Sequence, residues 1–332
     1  MPLVVDSVGT SSIGAITIGS GTLTKSGAGT LTLSGTNTFT ADTSIAASGG
    51  TISLTGTLGS GAYAGAIAIG SSSSFVFASS TNQTLSGVIS GSGSLTKNTS
   101  ATSTLTLSGA NTYTGSTTVT SGVVSISNAT ALGTTAGTTT VANDATLAIS
   151  NNITVAEAIT ITGDGVTVSS AEVGAIQSTS GTNVISGAVT LTSANSEIQI
   201  DSGSTLTLSG GVTASGINLT VDSAGTSSLA AVTIGTGSLT KSGAGTLTLS
   251  GTNTYTGGTT INDSGGTLSL TGTLGSGTYS GAISIGASST LSIATNSDQT
   301  LQTAAISGSG ALSKSGSGTL TLSATNTYTG ST

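Results

Sequence analysis

The side chains able to do chemistry in this chain are few: eleven carboxylates and four lysines, with no histidine, cysteine or tryptophan. Glycoside hydrolysis needs two carboxyls held on either side of the scissile bond. Here the acids are scattered, although Asp144, Glu157, Asp164, Glu172, Glu197 and Asp201 fall in one middle stretch. With no histidine, arginine or cysteine beside them, the acids read as solvated turn residues, and no catalytic residue is expected. A hard cation needs six to eight oxygens. Gly163-Asp164-Gly165 is the nearest approach to a calcium-binding turn, and no metal site or cofactor is expected.

The lysines occupy one position of a recurring motif. Gly-x-Leu-Thr/Ser-Lys occurs at Gly21–Lys25, Gly93–Lys97, Gly237–Lys241 and Gly310–Lys314. Each copy continues into Thr-Leu-Thr-Leu-Ser, starting at Thr30, Thr104, Thr246 and Thr319. Each closes on Asn-Thr-Tyr/Phe-Thr. The motif residues are therefore Lys25, Lys97, Lys241 and Lys314, then Asn37, Asn111, Asn253 and Asn326, then Phe39, Tyr113, Tyr255 and Tyr328. The lysines are expected to point outward, where a charge blocks edge pairing and keeps the surface soluble. The asparagines are expected to bond backbone within turns. The aromatics are expected to pack over turns, with glycan stacking as the alternative. Two extra residues between Lys97 and Thr104 predict a longer turn in the second copy.

These motifs lie inside a larger repeat. Leu23–Thr38 recurs without change at Leu239–Thr254, an offset of 216 residues, and the likeness extends on both sides. Asp6 and Asp222 are equivalent under that offset, which suggests a repeated turn role. The chain thus reads as one long unit, 1–216, and a partial second, 217–332, within a single continuous solenoid. We expect it to be a stretch of a longer array.

Apolar residues alternate with Thr and Ser, as in Thr246-Leu247-Thr248-Leu249 and Ala282-Ile283-Ser284-Ile285. Period-two alternation marks strands with one face inward. Leu247, Leu268, Leu291 and Leu312 are 21, 23 and 21 residues apart, and Leu31, Ile52, Phe75 and Leu95 are 21, 23 and 20 apart. Columns spaced near 22 predict a coil with three short strands per turn, its turns stacked about 4.8 Å apart. A sandwich shares the strand spacing but not the columns. A propeller would show a repeat of about 40–50 residues with an aromatic signature.

Only 5% of residues are charged, the net charge is −7, and 51 residues are glycine. A disordered linker is excluded because 35% of residues are hydrophobic and regularly placed. Four isolated lysines cannot neutralise a phosphate backbone, so nucleic acid is not an expected partner. No run of about 20 apolar residues could span a membrane in this segment. Met1-Pro2-Leu3-Val4-Val5-Asp6 has neither the basic start nor the apolar core of a signal peptide.

The segment Gly237–Thr259 and its three other copies resemble the passenger-associated transport repeat of bacterial autotransporters. The resemblance implies a right-handed parallel β-helix (β-solenoid), secretion across a Gram-negative outer membrane and exposure at the cell surface. It also implies that the repeat assists export and folding. The expected function is that of a non-enzymatic extracellular structural or adhesive segment. Its expected partners are copies of itself, associating end to end or as a fibre, or glycans and proteins of a cell surface. The alternatives are a glycan-degrading β-helix, and an ice- or glycan-binding face built on the Thr pairs Thr30/Thr32, Thr246/Thr248 and Thr319/Thr321.

Overall fold

The computed structural model describes residues 1–99, 103–193, 195–302 and 305–332. The described residues form short strands and turns, with single 3-10 turns at Gly59–Gly61 and Gly275–Gly277. The fold is an all-β parallel β-solenoid, its strands stacked about 22 residues apart. Val, Ile, Thr and Leu dominate the strands because alternating branched side chains suit a pleated, half-buried surface. The chain divides into two compact units.

The first unit comprises Met1–Ile149, Val155–Ile159 and Gly165–Glu172. Its ladders put Leu31, Ile52, Phe75 and Leu95 in register as one inward column. Beside it runs the column Leu33, Leu54, Phe77, Lys97, Val119 and Val141. A third column holds Val5, Lys25, Ile45 and Ile69. An antiparallel hairpin, Thr167–Val168 against Ala171–Glu172, turns through Ser169 and Ser170, both at positive φ. The longer turn expected after Lys97 includes Ser100, Ala101 and Thr102, which lie outside the described residues.

The second unit comprises Ser150–Thr154, Thr160–Asp164 and Val173–Thr332. Here Leu247, Leu268, Leu291 and Leu312 share one column, in the register the spacing predicts. All four are at most 2% exposed. Each such leucine contributes about 1.5–3 kcal/mol through burial, and parallel ladders repeat that contribution turn by turn. Cutting a sandwich or propeller from this chain would require antiparallel ladders where these are parallel.

Glycine fixes how closely the turns approach. At Gly35 a Cβ would lie 1.6 Å from the Gly14 carbonyl oxygen of the preceding turn. Space, and not a left-handed φ, excludes a side chain there. Gly35→Ala is expected to cost about 3 kcal/mol, read as a lowered urea midpoint. Gly9→Ala, whose Cβ would meet nothing within 4 Å, serves as the comparison and should change little.

Candidate functional site

Alternation decides where the motif lysines go. In Leu23-Thr24-Lys25 the lysine lies two residues from a buried leucine, on the same strand face. Lys25, Lys97 and Lys241 are each 0% exposed. The outward placement expected of the lysines is therefore wrong for these three; Lys314 is exposed although it lies on the inner strand face, in register with Ile293.

Burial is tolerated because the backbone solvates each ammonium. Lys25 Nζ donates to the carbonyls of Ser7 (3.2 Å), Ser26 (2.7 Å), Gly27 (2.5 Å) and Gly49 (2.9 Å). Lys241 Nζ donates to Ser223 (3.3 Å), Ser242 (2.5 Å), Gly243 (2.6 Å) and Gly265 (2.8 Å). Each cage draws oxygens from three successive turns: the one before, the lysine's own, and the one after. Lys97 donates to the carbonyls of Thr99 and Ser121 and lies 5.4 Å from the centroid of the Phe77 ring, a cation–π approach. Lys314 donates to Ser315 and Gly316.

Burial pushes the Lys97 and Lys241 ammonium groups down to about 8. It also lowers Lys25. Asp6 opposes the shift at Lys25, and Asp222 does so at Lys241. The surrounding carbonyl dipoles act in the same sense as these two acids, since they stabilise the charged form. The equivalence of Asp6 and Asp222 thus has a content beyond the turn: the negative charge of each favours the charged form of the lysine in the next turn.

The asparagines are a second set of polar groups turned inward. Asn37 Oδ1 accepts from the Ile16 N–H (2.9 Å), while its Nδ2 donates to the carbonyls of Gly35 and Thr57 (both 3.0 Å). Asn253 repeats this with Val232 N–H, Gly251 and Thr273. Asn111 accepts from Ile89 N–H and donates to Ala131. Asn326, half-buried, accepts from Ile306 N–H and donates to Ala324. These bonds reach between turns, further than a local turn bond. Gln83 and Gln299, not expected from the motif, do the same task two turns on from Asn37 and Asn253, accepting from Leu58 N–H and Leu274 N–H respectively.

Phe39, Tyr113 and Tyr255 are fully buried and Tyr328 is half-buried, so the first three offer no ring face to a glycan. Phe39 meets Tyr63 edge to face at 5.6 Å, and Tyr255 meets Tyr279 at 5.5 Å. Tyr63 and Tyr279 were not singled out from the sequence. Burial pushes both phenols up to about 12. Each reaches a buried threonine, Tyr63 to Thr43 (2.9 Å) and Tyr279 to Thr259 (2.8 Å).

Among the described residues, the solvent-facing polar side chains are mostly hydroxyls and scattered acids. In the second unit, Thr205, Thr226, Thr246, Thr267 and Thr290 stack in register beside Thr207, Ser228, Thr248, Ser269 and Ser292. In the first unit a groove of about 350 Å³ is lined by hydroxyl side chains, among them Thr51, Ser72, Ser74 and Ser94. Among the described residues, no group of three or more acids is placed to hold a metal ion. Among the same residues, no helix is long and apolar enough to cross a membrane.

Buried lysines and amides bridging parallel turns define a repeat protein of the β-solenoid class. Four of its segments match the family described as passenger-associated-transport-repeat: residues 23–54, 102–126, 239–270 and 312–332. These segments contain the four motif asparagines and Lys25, Lys241 and Lys314, with Lys97 outside them, and they fit an autotransporter passenger domain with repeats. No curated protein and no solved structure gives a match to the chain.

Proposed function

We propose that this chain is an extracellular, non-enzymatic scaffold, part of a secreted autotransporter-like surface protein that acts structurally or adhesively. The observation that carries the reading is the coincidence of the transport repeats with the turn-bridging cages and amides. The motif's invariant chemistry is spent on joining one turn to the next, and little of it faces a substrate. Surface hydroxyl grooves suit glycans or a second copy of the chain as partners. Antibody labelling of intact native cells tests the location. Surface label on unpermeabilised cells is expected, and label seen only after permeabilisation would overturn it.

The paired hydroxyl columns of the second unit favour one further reading, a face that orders water. Within each column successive hydroxyls lie about 4.8 Å apart along the stack, a regular lattice of Thr and Ser. Recrystallisation inhibition of ice by the purified chain is its test, and none at high concentration would dismiss it.

A further inference from the structure

Among the described residues of the first unit, one buried side-chain atom lacks a hydrogen-bond partner. Glu157 is 3% exposed. Its Oε1 accepts from the Thr139 hydroxyl (3.1 Å), but its Oε2 has no partner. Buried carboxylates are normally paired or fully hydrogen-bonded. The same side chain forms part of the wall of a cavity of about 320 Å³, at the small end of the range for ligand pockets.

That cavity is built from three successive turns, at 110–112, 129–135 and 155–157. Ala110, Leu132, Val155 and Ala156 give it an apolar wall, while Ala129, Thr130 and Thr135 are exposed at its margin. No aromatic residue follows Tyr113 in the next turn. Gly133 faces the Tyr113 ring instead, where a Cβ would lie 3.1 Å from two ring carbons. The turn is therefore less filled than those carrying Tyr63 and Tyr279.

We propose that this cavity binds a primary ammonium group, as a free alkylamine or as a lysine side chain, with Glu157 Oε2 as its acceptor. A carboxylate with a free lone pair calls for a charged N–H donor. The apolar wall suits a short alkyl chain and disfavours an anion. The chain's net charge of −7 draws cations towards it. Elsewhere the chain supplies each buried ammonium with oxygens, and here it supplies an oxygen with no ammonium.

The test is an NMR titration of the full chain at pH 8 and fixed ionic strength. The probes are n-propylammonium, Nα-acetyl-lysine amide and, as a cation without N–H, tetramethylammonium. Saturable shifts around Ala110, Leu132 and Val155 are expected with n-propylammonium. Binding at least tenfold weaker is expected for tetramethylammonium, for Glu157→Gln, and for Ala129→Leu, which plugs the margin while keeping the carboxylate. Comparable affinity for the lysine amide assigns the site to protein side chains, and its failure beside a bound propylammonium assigns it to free amines. Burial pushes the Glu157 carboxyl up to about 7, and Tyr113 is the titratable group coupled to it. Affinity should therefore fall about tenfold between pH 8 and pH 6 as the carboxylate takes up a proton. Absence of saturable shifts with both ammonium probes would overturn the proposal, and so would equal binding by tetramethylammonium or by folded Glu157→Gln. Ala129→Leu decides the matter if Glu157→Gln fails to fold.

Discussion

Lys241→Met should lower the stability of the chain by about 3 kcal/mol, whereas Lys314→Met should change it by less than about 0.5 kcal/mol. Methionine keeps the apolar stem of the lysine inside the column between Val221 and Ile261. What is lost is the donor to four carbonyls, on Ser223, Ser242, Gly243 and Gly265. Bonds from a charged donor contribute about 1.5–3 kcal/mol each. Removing the ammonium also relieves the cost of burying a charge, which is why the net effect is close to the worth of one such bond and not of four. At Lys314 the ammonium is exposed, with Ser315 and Gly316 as acceptors, and water replaces what methionine cannot offer. Urea midpoints of the two variants decide the issue. Equal midpoints, or a more stable Lys241→Met, would show that the cage contributes nothing net.

The second large effect is expected at Asn253. Asn253→Leu preserves size but leaves Val232 N–H without its acceptor and the carbonyls of Gly251 and Thr273 without their donor. A buried group left unpaired costs about 1–3 kcal/mol, so a loss of about 3–4 kcal/mol is expected. Asn326→Leu, at a half-buried site, should cost about 1 kcal/mol. Amide hydrogen exchange gives a local reading as well. Protection at Val232 should collapse in Asn253→Leu while that at Leu268, in an intact ladder, should persist to the global limit. Unchanged exchange at Val232 would count against the bridge.

A third effect runs with pH. Glu157 keeps its proton up to about pH 7 in the folded chain, while in the unfolded chain it ionises near 4.5. Between these values the unfolded state binds fewer protons, so stability falls as pH rises. The contribution is intact below about pH 4.5 and is lost above 7, a change of about 2–3 kcal/mol. Comparing wild type with Glu157→Gln from pH 4 to 8 isolates it, because the difference in melting temperature should close as pH falls.

The ladders were legible because a column of leucines is a local pattern repeated at a fixed interval. Leu247, Leu268, Leu291 and Leu312 needed only alternation and counting. The lysines were equally legible and were misread. Lys25 shares its strand face with Leu23, so period two places it inside. Charge argued the other way because an unpaired buried ammonium is costly, and the backbone oxygens that pair with it leave no mark in side-chain types. The bridging by Asn37 was hidden for a related reason: its acceptor and one donor partner come from Ile16 and Thr57, a turn away on either side. Gln83 and Gln299 fall outside the conserved spelling of the motif. Glu157 was legible in the same way as the lysines, since it alternates with Ala156 and Ala158 on the face of Val155 and Ile159 and period two places it inside.

The two complete cages share their chain separations as well as their oxygens. The carbonyls from flanking turns lie 18 residues before and 24 residues after the lysine at both Lys25 and Lys241. A single residue gained or lost inside that window would pull the oxygens off the nitrogen and turn a strand's inner face outward. Slack is available in turns away from the cages, as at the hairpin Thr167–Glu172. Such a chain can lengthen in evolution by copying whole blocks but not by creeping one codon at a time. The repetition of Leu23–Thr38 at Leu239–Thr254 is the kind of history that constraint permits.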